Sequence, residues 1–179
     1  MGTEKSENNV NERLTFTVPY SSLHVNENIS ISTNTLKPSK EKIRDQAFKF
    51  HSQGNISEAQ KYYQSFINEG FKDHKVFSNY GALLSSNRKF KEAEILYRKA
   101  IEMKSDYAEG YHNLGAVLKN LGKSQEAELS YRKAIELSPN NSMAHSNLGN
   151  ILKDLGNLHE AELSYRKAIK LNPNYSNAH

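Results

Sequence analysis

Two adjacent stretches of the sequence decide the fold. Residues 108–141 read AEGYHNLGAVLKNLGKSQEAELSYRKAIELSPNN, and residues 142–175 read SMAHSNLGNILKDLGNLHEAELSYRKAIKLNPNY. They align without a gap, and 20 of the 34 positions are identical. Self-similarity at a fixed period of this length is typical of repeat proteins, in which each unit is a small supersecondary structure that stacks on its neighbours.

The same period extends toward the N-terminus of the chain. Residues 74–107 align in the same register, and residues 40–73 align more loosely. The final four residues, Ser-Asn-Ala-His, echo the Ser-Met-Ala-His that opens the preceding unit. We therefore predict four repeats, followed by the start of a truncated fifth repeat. Their bounds are 40–73, 74–107, 108–141, 142–175 and 176–179.

Each repeat has the pattern of two helices. In the third repeat, apolar residues recur at spacings of three and four from Tyr111 to Leu121, which places them on one face of a helix. Gly122 then ends this helix. A second apolar run leads to Pro139, which prevents its continuation. The pattern predicts an all-α fold of stacked pairs, because no pair can bury its apolar face alone.

Small residues inside the predicted helices indicate how each pair packs. A glycine in a helix costs about 1 kcal/mol relative to alanine, so Gly115 and Gly149 need a compensating contact. Alanines lie twelve residues further on, in the second helix, and we predict that small residue faces small residue there. Tyrosines supply bulk between repeats. The predicted packing set is Gly81, Gly115, Gly149, Ala93, Ala127, Ala161, Tyr97, Tyr131 and Tyr165.

A 34-residue unit that carries these residues resembles the tetratricopeptide repeat. The resemblance covers residues 40–175 and implies a right-handed α-solenoid, with a concave groove lined by the first helix of each pair. It implies protein or peptide binding, as a scaffold or adaptor, and no catalysis. The residues that carry it in the third repeat are Tyr111, Leu114, Gly115, Leu118, Gly122, Ala127, Tyr131, Ala134 and Pro139.

The first repeat departs from the family's pattern. Gln46 stands in place of a leucine, Phe66 in place of a small alanine, and Phe71 in place of a proline. Ser105 also replaces that proline in the second repeat. We therefore predict that the first repeat is an imperfect N-terminal cap of the array.

An asparagine recurs at one place in three repeats, at Asn79, Asn113 and Asn147; these three form what we call the asparagine row. An amide side chain offers both a donor and an acceptor, so such a row can hold the backbone N–H and C=O groups of a peptide. The alternative is a local helix contact that suits the repeat. Further predicted groove residues are Asn150, His112, Lys119 and Lys153.

The residue pattern of the repeats is also similar to that of the repeat region of protein O-linked N-acetylglucosamine transferases and of related bacterial proteins. In those proteins such arrays precede a glycosyltransferase or sulfotransferase domain, and a row of asparagines holds extended peptides. An alternative function is therefore the substrate-selecting arm of a larger transferase. No such catalytic domain is present in the 179 residues.

The charge pattern argues against nucleic-acid binding. Lys and Arg number 24 and Asp and Glu number 20, which gives a net charge of +4. Three Arg-Lys pairs recur on the second helices, but a glutamate precedes each arginine by four residues, and such pairs neutralise each other on a helix surface. We predict a solvated helix face. The pairs are Arg98-Lys99, Arg132-Lys133 and Arg166-Lys167, preceded by Glu94, Glu128 and Glu162.

Composition and motifs exclude several other classes. The chain has no cysteine, which excludes thiolate metal sites and cysteine nucleophiles. It has no apolar run of the ~20 residues that a membrane-spanning helix needs, and no phosphate-binding loop or zinc-protease motif. We predict a cytoplasmic protein that is not an enzyme and has no cofactor, no metal, no nucleic-acid partner and no membrane contact.

The two ends of the chain differ from the repeats. Residues 1–39 contain 17 Asn, Ser or Thr residues, a composition that favours a mostly disordered arm, and Ser39 is placed to cap the helix that follows. At the other end, a solenoid needs a polar cap, whereas we expect apolar residues of the last repeat to be exposed. They are Leu148, Leu152, Leu155 and Ile169.

Three explanations of the exposed end stay open. The chain is part of a longer protein, it is a shortened gene product, or it associates end to end with a second copy.

Overall fold

The computed structural model describes residues 38–173. Within this range the chain forms eight α-helices and no strand, which confirms the predicted fold class. The predicted arm, apart from its last two residues, and the predicted fifth repeat lie outside the described residues. The helices are α1 (Lys40–Ser52), α2 (Ile56–Asn68), α3 (His74–Ser86), α4 (Phe90–Met103), α5 (Ala108–Asn120), α6 (Ser124–Leu137), α7 (Ser142–Asp154) and α8 (Leu158–Leu171).

The helices form antiparallel pairs, and the pairs stack in chain order. α1 packs on α2, α3 on α4, α5 on α6 and α7 on α8, and each pair also packs on the next one. In addition, α3 contacts α5, and α5 contacts α7. The first helices of successive pairs therefore lie side by side and form one continuous face.

Local signals set the helix ends as the sequence indicates. Ser39 caps α1, because its Oγ accepts a hydrogen bond from the Lys42 backbone N–H at 3.3 Å. Gly122 and Gly156 follow α5 and α7 with φ of +73° and +83°. Glycine adopts this left-handed conformation without the steric cost that a Cβ imposes, so these residues turn the chain back toward the second helix.

The apolar core runs between the helices from the first pair to the last. Leu148 and Leu152 belong to it, at 5% and 0% exposure, so the prediction that they would be exposed is wrong. Leu155 and Ile169 are half-buried. α8 folds back against α7 and shields these leucines, because each pair buries its own facing surfaces. The exposed large apolar residues of the last repeat are instead Met143 on α7 and Leu158 and Leu163 on α8.

The helix glycines face the tyrosines of their own repeats. A Cβ added to Gly115 would lie 2.9 Å from the ring of Tyr131, and one added to Gly149 would lie 2.7 Å from the ring of Tyr165. The tyrosine comes sixteen residues after the glycine, one helical turn beyond the alanine that we expected. Each tyrosine ring fills the space that a side chain on the glycine would occupy. The tyrosine therefore packs within its own repeat.

This contact predicts unequal costs for two equivalent substitutions. Gly115→Ala is expected to lower the free energy of unfolding by up to about 2 kcal/mol, because overpacking costs about 1–3 kcal/mol and better helix propensity returns about 1. Tyr131 is 1% exposed and cannot move aside. Gly149→Ala is expected to cost less, since Tyr165 is only half-buried and its ring has more room to shift. Urea denaturation followed by circular dichroism measures both; equal losses would contradict the assignment.

Ion pairs link the second helices across repeats. The predicted pairs within each helix are confirmed, with oxygen–nitrogen distances of 2.7–2.8 Å for Glu94–Arg98, Glu128–Arg132 and Glu162–Arg166. Two of these arginines also reach the following repeat. Arg98 contacts Glu126, and Arg132 contacts Glu160, each at 2.6 Å. The glutamate and arginine side chains on these second helices are therefore largely paired with one another.

Candidate functional site

The asparagine row lies on the face formed by the first helices. Asn79 is on α3, Asn113 on α5 and Asn147 on α7, and all three side chains are half-buried. Because α3 contacts α5 and α5 contacts α7, equivalent positions on these helices are neighbours across the face. The three amides occupy the same turn of successive helices.

His112 connects two members of the row. Its Nε2 lies 3.0 Å from Nδ2 of Asn147, and its Nδ1 lies 3.3 Å from Oδ1 of Asn113. Asn147 Nδ2 can only donate, so Nε2 accepts and the ring proton is on Nδ1, which donates to Asn113. One neutral imidazole therefore holds two amides of neighbouring repeats. Asn113 keeps its Nδ2 donor, and Asn147 keeps its Oδ1 acceptor, for other partners.

Asn79 belongs to a separate network in the first two repeats. It lies beside the hydroxyl of Tyr63, where its hydrogen bond opposes the rise that burial causes in the tyrosine's pKa. The Tyr63 hydroxyl also lies 2.8 Å from Nδ1 of His51. Tyr63 is fully buried, so the asparagine amide and the histidine ring satisfy a phenol that has no access to water.

The half-buried His51 predicts a pH dependence of stability. Burial lowers the pKa of His51, so the folded state prefers the neutral ring. The unfolded chain binds the proton more readily than the folded chain. The contribution of His51 to the stability of the fold is therefore present above about pH 6.5 and is lost as the pH falls below that value. His51→Gln is expected to reduce the fall in unfolding free energy between pH 7.5 and pH 5. Urea denaturation at both pH values compares the variant with the natural chain; an unchanged pH dependence would contradict this role.

The other predicted groove residues divide into two kinds. Asn150 accepts a hydrogen bond from the Tyr165 hydroxyl at 2.8 Å, so its carbonyl oxygen is engaged within the last repeat. Lys119 and Lys153 lie near the ends of α5 and α7 and are exposed. In the described part of the chain neither lysine forms an ion pair. The structure thus brings together His112, Asn113 and Asn147, and it places Lys119 and Lys153 exposed near the helix ends.

Sequence reasoning missed the partners that hold the asparagines. Tyr63 aligns with Tyr97, Tyr131 and Tyr165, but the positions equivalent to His51 hold Ser85, Lys119 and Lys153. Comparison of the repeats therefore gives no sign of the contact between His51 and the Tyr63 hydroxyl. The link from His112 to Asn147 spans 35 residues, one more than the period, so self-comparison does not show it. The signal that was available is the histidine at the position where the neighbouring repeats have Ser78 and Ser146.

The fold and this face define the chain as a helical-repeat protein. Sequence models of the tetratricopeptide repeat match residues 74–107, 108–141 and 142–175, which is more than half of the chain. The chain therefore belongs to the tetratricopeptide repeat proteins. None of the curated proteins matches it significantly in sequence.

Several solved structures have a similar fold. YrrB, described as a TPR protein with an unusual peptide-binding site, shares 20% identity at a TM-score of 0.73 and covers 79% of this chain and 73% of its own. MamA shares 20% identity at a TM-score of 0.72, with 76% and 80% covered. The TPR domain of Arabidopsis OM64 shares 26% identity at a TM-score of 0.58, with 59% and 87% covered.

Two features are absent from the part of the chain that the structure describes. In residues 38–173, no helix is both long enough and apolar enough to cross a membrane. The same residues contain no group of three or more histidine or acidic side chains arranged to hold a metal ion.

Proposed function

We propose that the chain is a binding scaffold that holds extended segments of partner proteins along the face of its first helices. The observation that carries this proposal is the asparagine row, with two of its amides fixed by His112 at 3.0 and 3.3 Å. Fixing a side chain before binding reduces the conformational entropy that the complex must lose. Each fixed amide keeps one hydrogen-bonding group for a ligand.

The spacing of the row suits an extended peptide. Packed helices lie 8–10 Å apart, so neighbouring members of the row are separated by roughly 10 Å. An extended chain advances about 3.3 Å per residue, which places every third residue of a peptide opposite an asparagine. Such contacts recognise the peptide backbone, and the exposed Lys119 and Lys153 add a preference for acidic side chains.

The similar solved structures support the proposed peptide-binding role. YrrB is described as a TPR protein with a peptide-binding site, and the OM64 structure is described as a TPR domain. The hypothesis that the chain is the arm of a transferase depends only on the similar residue pattern of the repeats, and no contact in residues 38–173 favours it. We therefore assign the scaffold role, without a reaction or a cofactor.

A peptide panel tests the backbone-binding proposal. Capped ten-residue peptides, acidic and unstructured, are titrated against the full ¹⁵N-labelled chain. We expect the side-chain amide signals of Asn79, Asn113 and Asn147 to shift on binding. Scrambling the peptide sequence is expected to change the affinity little, whereas N-methylation of every third backbone nitrogen is expected to abolish binding.

The matched control is the same peptide N-methylated at a single terminal residue, which leaves the central backbone groups intact. If scrambling removes binding while N-methylation does not, side chains rather than backbone are recognised. If no peptide shifts the three amide signals, the proposed use of this face is wrong.

A further inference from the structure

A second cleft lies where the first repeat meets the second, away from the asparagine row. It has a volume of about 510 Å³, within the range of ligand-binding pockets. Its apolar wall consists of Ile67, Phe71, Phe77 and Met103, and Lys72 and Lys99 stand at its rim with Glu102. The cleft therefore combines aromatic surface with an excess of positive charge.

The repeats show that Phe71 is peculiar to this joint, whereas Ile67 and Met103 have apolar equivalents in later repeats. Phe71 occupies the place that Ser105 and Pro139 have at the next two joints. Phe71 packs edge-on against Phe66, with ring centroids 5.4 Å apart. Both phenylalanines are departures of the first repeat from its family pattern, and together they keep the wall of the cleft in place.

Among the described residues the rim lysines form no ion pair, although Glu102 lines the same cleft. Lys133, at the equivalent place one repeat later, contacts Glu136 at 2.6 Å. By contrast, Lys99 lies over the ring of Phe77 at 6.0 Å, and across residues 38–173 neither Lys99 nor Lys72 forms an ion pair. An ammonium group next to an aromatic face and an apolar wall suits a ligand with an apolar body and a negative charge.

We propose that this cleft binds a short acidic peptide segment that carries a large apolar side chain. The apolar side chain packs on Phe71 and Phe77, and the adjacent carboxylates pair with Lys72 and Lys99. The cleft is open on one side, with Met103 37% exposed. Small-molecule sites bury 70–90% of their ligand, so an open cleft fits a side chain whose backbone continues into solvent. This site recognises the side chains of its ligand and is independent of the asparagine row.

A designed peptide tests the assignment on the full chain. The probe is a capped seven-residue peptide of glycine and serine with a central phenylalanine between two aspartates. Titration into the ¹⁵N-labelled chain is expected to shift the backbone signals of Phe71, Phe77, Lys99 and Met103 in one saturable step. The same peptide with alanine in place of the phenylalanine, and one with lysines in place of the aspartates, are expected not to bind.

Variants separate the two parts of the site. Phe71→Ser, which introduces the residue of the next repeat, is expected to weaken binding at least about tenfold. Lys99→Gln is expected to weaken it about threefold, as removal of an exposed ion pair does, and Lys133→Gln serves as the matched control without effect. Should Phe71→Ser lose its helical circular dichroism, the double variant of Lys72→Gln and Lys99→Gln tests the charge requirement on an intact fold.

Several results would overturn the proposal. They are an absence of shifts at the cleft with millimolar peptide, equal binding of the alanine peptide, and an equal loss in Lys133→Gln and Lys99→Gln. Phenylacetate binding as tightly as the peptide would assign the cleft to a free aromatic acid instead of a protein segment.

Discussion

Tyr131→Ala is expected to lower the free energy of unfolding by about 3–5 kcal/mol, the range for removal of a large buried aromatic ring. Tyr131 is 1% exposed. Its ring occupies the space beside Gly115 and meets the ring of His112 edge-on, with centroids 5.7 Å apart. The substitution therefore leaves a cavity that the helix backbone cannot fill. Urea denaturation followed by circular dichroism measures the loss.

Two substitutions on equivalent elements serve as controls for Tyr131→Ala. Leu129→Ala changes a residue that lies two positions away on the same helix and is 67% exposed, so it is expected to stay within about 0.5 kcal/mol of the natural chain. Tyr165→Ala removes the equivalent ring of the last repeat, which is half-exposed, and is expected to cost less than Tyr131→Ala. A loss at Leu129 as large as that at Tyr131 would show that burial does not set the cost.

The combined replacement of Asn79, Asn113 and Asn147 by alanine is expected to weaken peptide binding about 100-fold. A hydrogen bond contributes about 0.5–1.5 kcal/mol net, so three lost contacts amount to roughly 3 kcal/mol, and 1.4 kcal/mol corresponds to a factor of ten. The effect is expected for every peptide that binds, since the backbone is the common element. Fluorescence anisotropy of a labelled acidic decamer measures it.

The matched control for the asparagine row changes three other asparagines to alanine. Asn68, Asn87 and Asn140 are exposed and lie outside the row, so their replacement is expected to leave the affinity unchanged. Unchanged affinity of the row variant would refute the backbone-binding role. If the row variant loses its helical signal, His112→Phe tests the contacts instead. This substitution releases Asn113 and Asn147 while both amides remain. We expect it to weaken binding less than the triple replacement does.

The sequence specified the helices because their signals are local. The 34-residue period, the spacing of apolar residues from Tyr111 to Leu121, and the stops at Gly122 and Pro139 predict the pairs that the structure shows. The pairing of Glu94 with Arg98 could be predicted for the same reason, since residues four apart are neighbours on a helix. Repetition strengthens such signals, because each unit meets the same surroundings.

Contacts between helices were decided by the tertiary structure. The tyrosine that faces Gly115, the arginine that reaches Glu126 at 2.6 Å, and the histidine that joins Asn113 to Asn147 all depend on how far one helix is shifted and rotated against another. A repeat period fixes which residues are equivalent, and it leaves the geometry between neighbouring units undetermined. Close packing of whole side chains sets that geometry, and a packing arrangement has no local signal in the chain. The cleft beside Phe71 exists for the same reason, because two divergent residues of one repeat and a lysine of the next meet only when the pairs stack.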